Sequence, residues 1–486
     1  MTTQRAIYVW PTILAAAVCV GTSNATTFST TPQEAKQEVS RAIEARSQRY
    51  SEIAQQIWEL AEVGYQEEHS SQLLQWELEE SGFSVQTGVA DIPTAFVASY
   101  GSGSPVVGIL AEFDALPGLS QAAVPERQAL ESDAGHACGH HLFGTASTGA
   151  AIAVKDWLAS TGTSGTIRVY GTPAEEGGAG KAYIARAGLF DDVDVALHWH
   201  PADRNDASPG NSLANKSAKF RFHGIATHAA AAPERGRSAL DGVEAMNHMV
   251  NLMREHVPQE ARIHYVITHG GRAPNVVPDF AEAYYYIRHP DVATAKRLFE
   301  RVAQAAEGAA LGTGTRLEYE IIHGIYNLLP NETLGRLMDT NLRRLGGVTY
   351  DHAENEFARM IRPTLGDTEI ALGSEAEIQP FAIKSGGGST DVGDISWLVP
   401  TAGLDTATWV PGTSAHSWQA VAAGGTSIGT KGMLLAAETL AWTAVDLFLD
   451  PTHVVMARQE LEQRRGADFV YEALIGDRAP PLDYRK

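Results

Sequence analysis

The sequence contains very little cysteine. Cys19 and Cys138 are the two cysteines in 486 residues, and Cys19 lies in an N-terminal segment that we predict to be an export signal. A lone thiol cannot form an internal disulfide, so a disulfide scaffold is excluded and burial of apolar side chains must hold the fold together. Cys138 is therefore available for another role.

The sequence is also poor in basic residues. Its 37 Lys and Arg residues stand against 58 Asp and Glu residues, which gives a formal net charge of −21. Nucleic acids and anionic membranes are bound through clustered cations that displace counterions, so this balance argues against both. After the N-terminal segment, the sequence has no uncharged apolar run of about 18 residues, the length of a membrane span. We expect no nucleic acid and no membrane among the partners.

Residues 1–25 have the pattern of a secretory signal. Arg5 gives a positive start, Ile13–Val20 form a short apolar core, and Ser23–Ala25 place small residues at a cleavage position. We predict that this signal peptide directs export, so that the protein is periplasmic or secreted. An uncleaved membrane anchor is the alternative, and the shortness of the apolar core argues against it.

The chain is longer than one ordinary hydrophobic core requires, and its first part alternates buried strands with helices. Val106–Ala111, Thr166–Gly171 and Val193–Leu197 are strand-like, and Leu142–Leu158 is an apolar helix between the first two. This alternation predicts an α/β domain with a mixed, largely parallel sheet and flanking helices. Carboxylates or histidines follow each strand, and ligands of such sheets bind beyond the carboxyl ends of the strands.

Residues 215–328 have a different pattern, in which the order is strand, helix, strand, strand, helix, strand. That order is typical of a ferredoxin-like α+β unit, which we interpret as a lid inserted into the main domain. We therefore predict a catalytic domain built from residues 33–214 and 329–450, a lid and dimerisation domain at 215–328, and a C-terminal tail at 451–486.

Cys138 lies in a histidine-rich segment, Gly135–His141. Thiolate and imidazole suit Zn²⁺ and neighbouring divalent metals, so we interpret Cys138 and His140 as the first half of a metal site. Glu175 and Glu176 follow the second predicted strand. Adjacent side chains at a strand end point in different directions, so one carboxylate can bind a metal while the other accepts a proton from an activated water.

Three more histidines are candidate ligands. His198 and His200 follow the third predicted strand and share a face if the segment is extended. We predict that His200 is the ligand and keep His198 as the alternative. His416 lies in the polar loop Gly412–Gln419, where a histidine taken alone is more often a surface residue than a ligand.

Several motifs occur in one order along the chain and carry a family resemblance. Together they resemble the two-metal aminoacylase/carboxypeptidase superfamily, and within it the amidohydrolase branch that includes hippurate hydrolases and indole-acetyl-amino-acid hydrolases. The C-terminal motifs are similar to those of the B-type subunits of aminobenzoyl-glutamate hydrolases. The motifs are Glu112–Gln121, Cys138–His140, Pro173–Gly178, Thr227–Ala230, Ser389–Val392, His416–Gln419 and Thr426–Met433.

The resemblance implies a site that holds two divalent metal ions, Mn²⁺ or Zn²⁺. In this chain the implied ligands are Cys138, His140, Glu176, His200 and His416. One departure concerns His141, since conjugate hydrolases of this branch usually have Asp directly after Cys-Gly-His. That departure makes His141 a further candidate ligand.

The resemblance also implies the roles of residues around the metals. Glu175 would be the general base, and Asp114 would orient a metal-bound imidazole. His228, reaching in from a dimer partner, would donate a hydrogen bond to the substrate carbonyl oxygen, and Asn275 would bind the amide or carboxylate of the substrate. The substrate carboxylate needs a cation, and we choose Arg288 from a group that also contains Arg235, Arg237, Arg272 and Lys384.

We therefore predict a metal-dependent hydrolase that cleaves the amide bond of small N-acyl amino acids, with aminobenzoyl-glutamate-like conjugates as the expected substrate. A dipeptidase or a broad N-acyl-amino-acid hydrolase is the alternative within the same chemistry. A non-catalytic metal-binding partner subunit is the alternative from another class, and the presence of Glu175 beside a complete ligand set argues against it. We expect a homodimer through the lid, with a related second subunit as a further partner.

Overall fold

The structure, a computed structural model, describes residues 1–3 and 31–486. Apart from its first three residues, the predicted export signal lies outside the described residues, as does Cys19. In the described part of the chain the strands are β1 (Ser84–Thr87), β2 (Phe96–Ser102), β3 (Val106–Ala111), β4 (Leu116–Pro117), β5 (Ala134–Gly135), β6 (Gly165–Gly171), β7 (Val195–Ala202), β8 (Gly210–Asn211), β9 (Ala214–His223), β10 (Arg262–His269), β11 (Phe280–His289), β12 (Arg316–Ile325), β13 (Lys384–Ser385) and β14 (Thr401–Ala407). The helices there are α1 (Pro32–Ala45), α2 (Ser47–Leu60), α3 (Glu68–Glu80), α4 (His140–Thr161), α5 (Gly180–Arg186), α6 (Ala239–Met253), α7 (Val292–Thr313), α8 (Glu332–Leu345), α9 (His352–Ile361), α10 (Val392–Leu398), α11 (Trp418–Gly424), α12 (Ser427–Leu449) and α13 (Thr452–Arg465).

The larger sheet has the strand order β1-β2-β6-β3-β7-β14. β6, β3, β7 and β14 run parallel to one another, β2 is added antiparallel beside β6, and β1 pairs antiparallel with β2 at the edge. This arrangement confirms the predicted mixed, largely parallel sheet. The first two predicted strands match β3 and β6, but the predicted end of the third at Leu197 is wrong, because pairing with β14 extends β7 as far as Ala202.

Helices cover both faces of this sheet. Successive residues of a strand point to opposite sides, so neighbouring residues of β3 pack against different helix layers. Ile109 of β3 packs into the core that contains α1, α4 and α12, and its neighbour Leu110 packs into the core that contains α5 and α10. Both side chains are fully buried. The chemically reactive side chains lie where these two layers meet the carboxyl ends of the parallel strands.

Helix α12 is apolar and central. Its mean hydropathy of 1.4 over 18 residues and its length satisfy the criteria for a membrane span, and among the described residues it is the one helix that does so. In this fold 72% of that window is buried, mainly against α4, α1 and α8. A buried core helix satisfies the same criteria, so composition alone does not make α12 a membrane segment.

The smaller sheet has the antiparallel order β10-β11-β9-β12, and α6 and α7 pack on one of its faces. The chain order β9-α6-β10-β11-α7-β12 confirms the predicted ferredoxin-like unit. One end of this sheet, the junction end, meets the main domain, where Leu213 N donates to Gly388 O. The other end, the far end, is formed by His223, Phe280 and Arg316, which pair across β9, β11 and β12.

The predicted C-terminal tail begins with helix α13 and then runs back across the main domain. Leu474 and Ile475 in this returning segment are buried. The Arg186 guanidinium of α5 donates to the carbonyls of Gly476 and Arg478, at 2.6 and 2.8 Å. The end of the chain is thus attached to the layer that carries α5.

Candidate metal centre

The predicted ligands come from four places that the parallel sheet brings together. Glu176 follows β6, His200 lies in β7, and Cys138 and His140 lie at the start of α4. His416 lies in the loop between β14 and α11, and its backbone N–H donates to Ala137 O at 2.9 Å. That hydrogen bond fixes the His416 loop beside the Cys138 segment.

The ligand atoms form two groups that share one sulfur. The side chains of Cys138, His140 and His200 each offer an atom within 4.8 Å of the others, and so do those of Cys138, Glu176 and His416. Cys138 Sγ lies 3.3 Å from His200 Nε2, and His416 Nε2 lies 3.0 Å from Glu176 Oε1. The structure therefore brings all five predicted ligands together, with Cys138 between the two halves.

The carboxylate of Asp114 contacts one ligand from each of the two groups. Its Oδ1 accepts a hydrogen bond from His140 Nδ1 at 2.8 Å, and its Oδ2 accepts one from the backbone N–H of Glu176 at 2.9 Å. Because Nδ1 of His140 keeps its proton in the hydrogen bond to Asp114, a cation that displaces the proton on Nε2 would be bound by the Nε2 lone pair. This is the support that a metal-bound imidazole usually receives.

The unpaired atoms in this region fit a bound cation. Among the described residues, His140 Nε2, Glu176 Oε1 and Glu112 Oε2 are buried without a hydrogen-bond partner. Two of these atoms, His140 Nε2 and Glu112 Oε2, face each other at 3.1 Å. Buried polar atoms are nearly always paired, so a cation between them would supply the missing partner. Thiolate, imidazole and carboxylate are also the donor set that Zn²⁺ and similar metals take.

The electrostatics of the site agree with this donor set. Burial, and then the positive charge of His140, lower the pKa of His200 to about 4, so its imidazole is neutral at pH 7. Burial raises the pKa of the Cys138 thiol, so a thiolate at this depth needs a cation beside it. Burial also raises the pKa of Glu176, but the His416 imidazole and then His140 outweigh it, and the net pKa lies below the usual value.

Glu175 lies beside the metal cluster in a strongly acidic environment. Its carboxylate, with that of Glu112 and the imidazole of His140, forms a third group whose atoms lie within 4.8 Å of one another. Burial, followed by the negative charges of Glu112 and Glu176, raises the pKa of Glu175 well above its usual value. A carboxylate with a raised pKa holds a proton more readily near neutral pH, as a general base must.

A buried ion network close to Glu175 was not predicted from the sequence. Lys181 Nζ lies 2.7 Å from both Glu112 Oε1 and Asp391 Oδ1, and Asp391 Oδ2 accepts a hydrogen bond from Lys181 N at 2.9 Å. All three side chains are at most 2% exposed. Glu112 could have been found, because it stands two residues before Asp114 at the end of β3. Nothing in the sequence distinguishes Lys181 from a surface lysine.

The two alternative histidine ligands lie outside the cluster. His198 shares a face of β7 with His200, but its ring packs against Gly403 on the neighbouring strand β14. The Nε2 of His141 lies 3.1 Å from the carbonyl oxygen of Gly424, and its ring packs on His136. Within the described residues, neither His198 nor His141 belongs to a group that could hold a metal.

His228 and Asn275 lie together at the far end of the lid. Ala229 N donates to Asn275 O at 3.0 Å, and both His228 and Asn275 are exposed. His228 Nδ1 accepts hydrogen bonds from the backbone N–H groups of Ala230 and Ala231, each at 3.2 Å. The ring proton of a neutral His228 must then be on Nε2, which makes this atom a hydrogen-bond donor.

Arg288 lies at the opposite, junction end of the lid sheet. Its Nε is buried without a hydrogen-bond partner among the described residues, and its guanidinium lies 5.3 Å from the centre of the Tyr286 ring. A cavity of about 440 Å³ opens here between Arg288, Arg262 and the glycine-rich loop at Gly386 and Gly387. The structure therefore separates Arg288 from Asn275, although both were predicted to bind substrate.

Known proteins resemble this chain in sequence and fold. Residues 214–313 match the family model described as the peptidase dimerisation domain. The chain is 43% identical over 459 residues to the B-type subunit of p-aminobenzoyl-glutamate hydrolase from Escherichia coli strain K12, covering 89% of this chain and 95% of that protein. It is 29% identical over 459 residues to the Xaa-Arg dipeptidase of Mus musculus, covering 91% and 94%. A dinuclear metal-binding peptidase of the M20 family from Bacillus subtilis has the same fold, with a TM-score of 0.57 at 17% identity and coverage of 84% and 99%.

The fold and the thiolate–imidazole–carboxylate cluster define a metal-dependent hydrolase. The chain belongs to the M20 family of metallopeptidases and amidohydrolases. The family resemblance and the enzyme class predicted from the sequence are both confirmed.

Proposed function

We propose that this protein hydrolyses the amide bond of N-acyl amino acids, with p-aminobenzoyl-glutamate or a close analogue as substrate and two Mn²⁺ or Zn²⁺ ions as cofactors. The observation that carries the proposal is the cluster in which Cys138 lies between two groups of ligands and Glu175 lies next to it. The similarity to the B-type subunit of p-aminobenzoyl-glutamate hydrolase supports the choice of substrate.

The proposed mechanism assigns each step to a residue of the chain. When bound by Cys138, His140, Glu176, His200 and His416, two divalent ions would lower the pKa of a water molecule and polarise the amide carbonyl. Glu175 accepts a proton from the attacking water and later delivers it to the departing amine. His228 Nε2 donates a hydrogen bond to the carbonyl oxygen as negative charge develops there, a contribution of about 3–4 kcal/mol in other hydrolases.

We propose that the protein works as a homodimer in which each site takes residues from both lids. His228 and Asn275 lie at the far end of the lid, and the length of β11 between Phe280 and Arg288 is about 27 Å at the rise of a β-strand. His228 is therefore remote from the junction end of its own lid, where the main domain begins. A second copy of the chain, with the far end of its lid next to this site, would supply His228 and Asn275. The match to a peptidase dimerisation domain supports this arrangement.

Mixing two inactive variants tests the shared site. His228→Ala and Glu175→Gln protomers are each expected to be nearly inactive, but a mixed dimer has one site with Glu175 from the first protomer and His228 from the second. We expect an equal mixture, after subunit exchange, to recover about a quarter of the wild-type kcat, since half of the dimers are mixed and each has one complete site.

The control for this experiment mixes Glu175→Gln with Cys138→Ser. Both changes lie in the main domain, so no mixed dimer has a complete site and no recovery is expected. If the His228→Ala mixture also fails to recover activity while native gels show mixed dimers, the donor does not come from the second copy.

A substrate panel tests the proposed reaction. We expect purified protein with Mn²⁺ or Zn²⁺ to release the amine from p-aminobenzoyl-glutamate faster than from the same compound with its α-carboxylate blocked as an amide. The similarity to an Xaa-Arg dipeptidase makes dipeptides ending in arginine the second substrate class to include. Faster cleavage of those dipeptides would assign the protein as a dipeptidase, and no turnover of any compound would favour a non-catalytic partner subunit.

We further propose the location and organisation of the protein. The N-terminal pattern supports export to the periplasm or medium. The boundaries 33–214, 215–328 and 329–450 divide the catalytic domain around the lid. A second, A-type subunit is a further partner, which the similarity to the B-type subunit of a two-subunit hydrolase supports.

A further inference from the structure

The end of the chain contacts the turn that carries Glu175 and Glu176. We call residues 474–486 the C-terminal strap. The hydroxyl of Tyr484 and the Nη2 of Arg485 both donate to the backbone carbonyl of Glu176, at 3.0 and 2.7 Å. We infer that Tyr484 and Arg485 are positioning residues, which hold the Glu176 peptide so that its carboxylate faces the metal cluster; this inference rests on the proposed function.

The turn needs support from outside because its backbone is strained. Ala174 and Ala179, on either side of the two glutamates, have φ values of 57° and 59°, and Gly177 between them has 91°. Alanine rarely adopts positive φ, and such residues persist where the surroundings fix them. A turn of this kind does not hold a carboxylate in place by its own preferences.

The surroundings fix the turn at both of its ends. Ala174 N donates to Glu67 Oε1 at 2.8 Å, and Gly178 O accepts a hydrogen bond from the Tyr65 hydroxyl at 2.8 Å. At the middle, Asp114 accepts the N–H of Glu176, as described above. The carbonyl oxygen of Glu176 also needs hydrogen-bond donors, and the C-terminal strap supplies two of them.

The strap is itself held in place by the residues that support the turn. The Tyr484 ring packs edge-on against Tyr65, with 5.6 Å between ring centres, and the Arg485 guanidinium lies 4.9 Å from the centre of the Tyr484 ring. Gln66 Nε2 donates to Leu482 O at 2.8 Å. A Cβ atom added at Gly64 would overlap the Tyr484 hydroxyl, so the strap and the 64–67 loop fit each other closely.

The test compares metal binding by the wild type with that of variants that remove the two donors. Tyr484→Phe keeps the ring against Tyr65 and removes the hydroxyl, and Arg485→Gln removes the guanidinium. We expect the double variant to bind Zn²⁺ or Mn²⁺ about 10–100-fold more weakly, as when other supports of metal ligands are removed. The readout is equilibrium competition of the metal alone with a coloured chelator, followed by kcat and KM at saturating metal.

Two further variants separate positioning from general stability. Lys486→Gln removes the neighbouring exposed cation and is expected to leave metal affinity unchanged. Gly64→Ala keeps both donors but displaces the Tyr484 hydroxyl, and it should weaken metal binding in the same direction as the double variant. If the double variant does not fold, Tyr484→Phe alone decides.

The outcomes have distinct meanings. Weaker metal binding or a lower kcat at unchanged KM, with the same thermal midpoint as wild type, supports the inference. Metal affinity and kcat within twofold of wild type overturn it, as does an equal loss in Lys486→Gln. Failure of the wild type itself to bind metal overturns the proposed function instead.

Discussion

Glu175→Gln should reduce kcat by about 10²–10⁴-fold while the protein keeps its metal. Glutamine has almost the same shape as glutamate, so it preserves the packing of the turn after β6, but it cannot accept a proton from water. Because Glu175 is not among the five proposed ligands, the affinity for Zn²⁺ or Mn²⁺ should remain within a few-fold of wild type. The measurements are steady-state kinetics and metal content of the purified variant.

Glu176→Gln is the matched control for this prediction. The same chemical change one residue later removes a proposed ligand, so metal binding and kcat should both fall. The pair therefore distinguishes the two glutamates by their effect on metal content. Loss of metal from Glu175→Gln with retention in Glu176→Gln would mean that the two roles are exchanged.

Lys181→Met should destabilise the main domain by about 3–5 kcal/mol, the usual cost of leaving a buried charge without its partner. Lys181 Nζ contacts Glu112 and Asp391, and all three side chains are almost completely buried. Methionine fills a similar volume but leaves two carboxylates without their cation. Urea unfolding at pH 7, followed by tryptophan fluorescence, measures the change in free energy of unfolding.

The cost of this substitution should depend on pH in a defined direction. Burial already raises the pKa of Glu112 and Asp391 in the wild type, against the lowering effect of Lys181, so removing Lys181 raises both further. Below the unfolded-state pKa values of about 4, both carboxyl groups are protonated in the folded and in the unfolded protein, and the loss of stability caused by Lys181→Met is smallest. The loss grows as pH rises and the carboxyl groups of the unfolded chain ionise.

Lys296→Met is the control for burial. Lys296 also pairs with a carboxylate, Glu472, but the two side chains are 33% and 83% exposed, and exposed pairs contribute about 0–1 kcal/mol. An equal loss of stability in both variants, or no loss in Lys181→Met, would show that the buried network is not required for folding.

The sequence was sufficient to predict the layout of the site because that layout follows from strand direction. Three strand-like runs, the first two separated by an apolar helix, imply parallel strands, and the residues after parallel strands meet at one edge. The ligand types are also distinctive, since a lone thiol beside His140 has few structural roles. These features led to Cys138, His140, His200 and the pair Glu175 and Glu176, whereas the family resemblance assigned the metal to Glu176 and added His416.

Other parts of the structure depend on contacts that no local pattern records. The extension of β7 through His198 comes from pairing with β14, which lies about two hundred residues later in the chain. Lys181 would be expected at the surface, because lysine is almost never fully buried unless it is paired. Its two carboxylate partners are recognisable only in the folded structure. Tyr484 and Arg485 lie in a tail without hydrophobic periodicity. Its sequence therefore does not predict that these two residues contact the backbone of Glu176.

The position of Cys138 between both groups of ligands has a consequence for inactivation. In the proposed centre one sulfur atom serves both groups of ligands, so alkylation, mercurial capture or oxidation to a sulfenic acid would disable both in a single event. A half-occupied form that survives such damage is therefore not expected. Because Cys138 is only 7% exposed in the folded chain, the protein is most vulnerable during synthesis, before the fold covers the thiol.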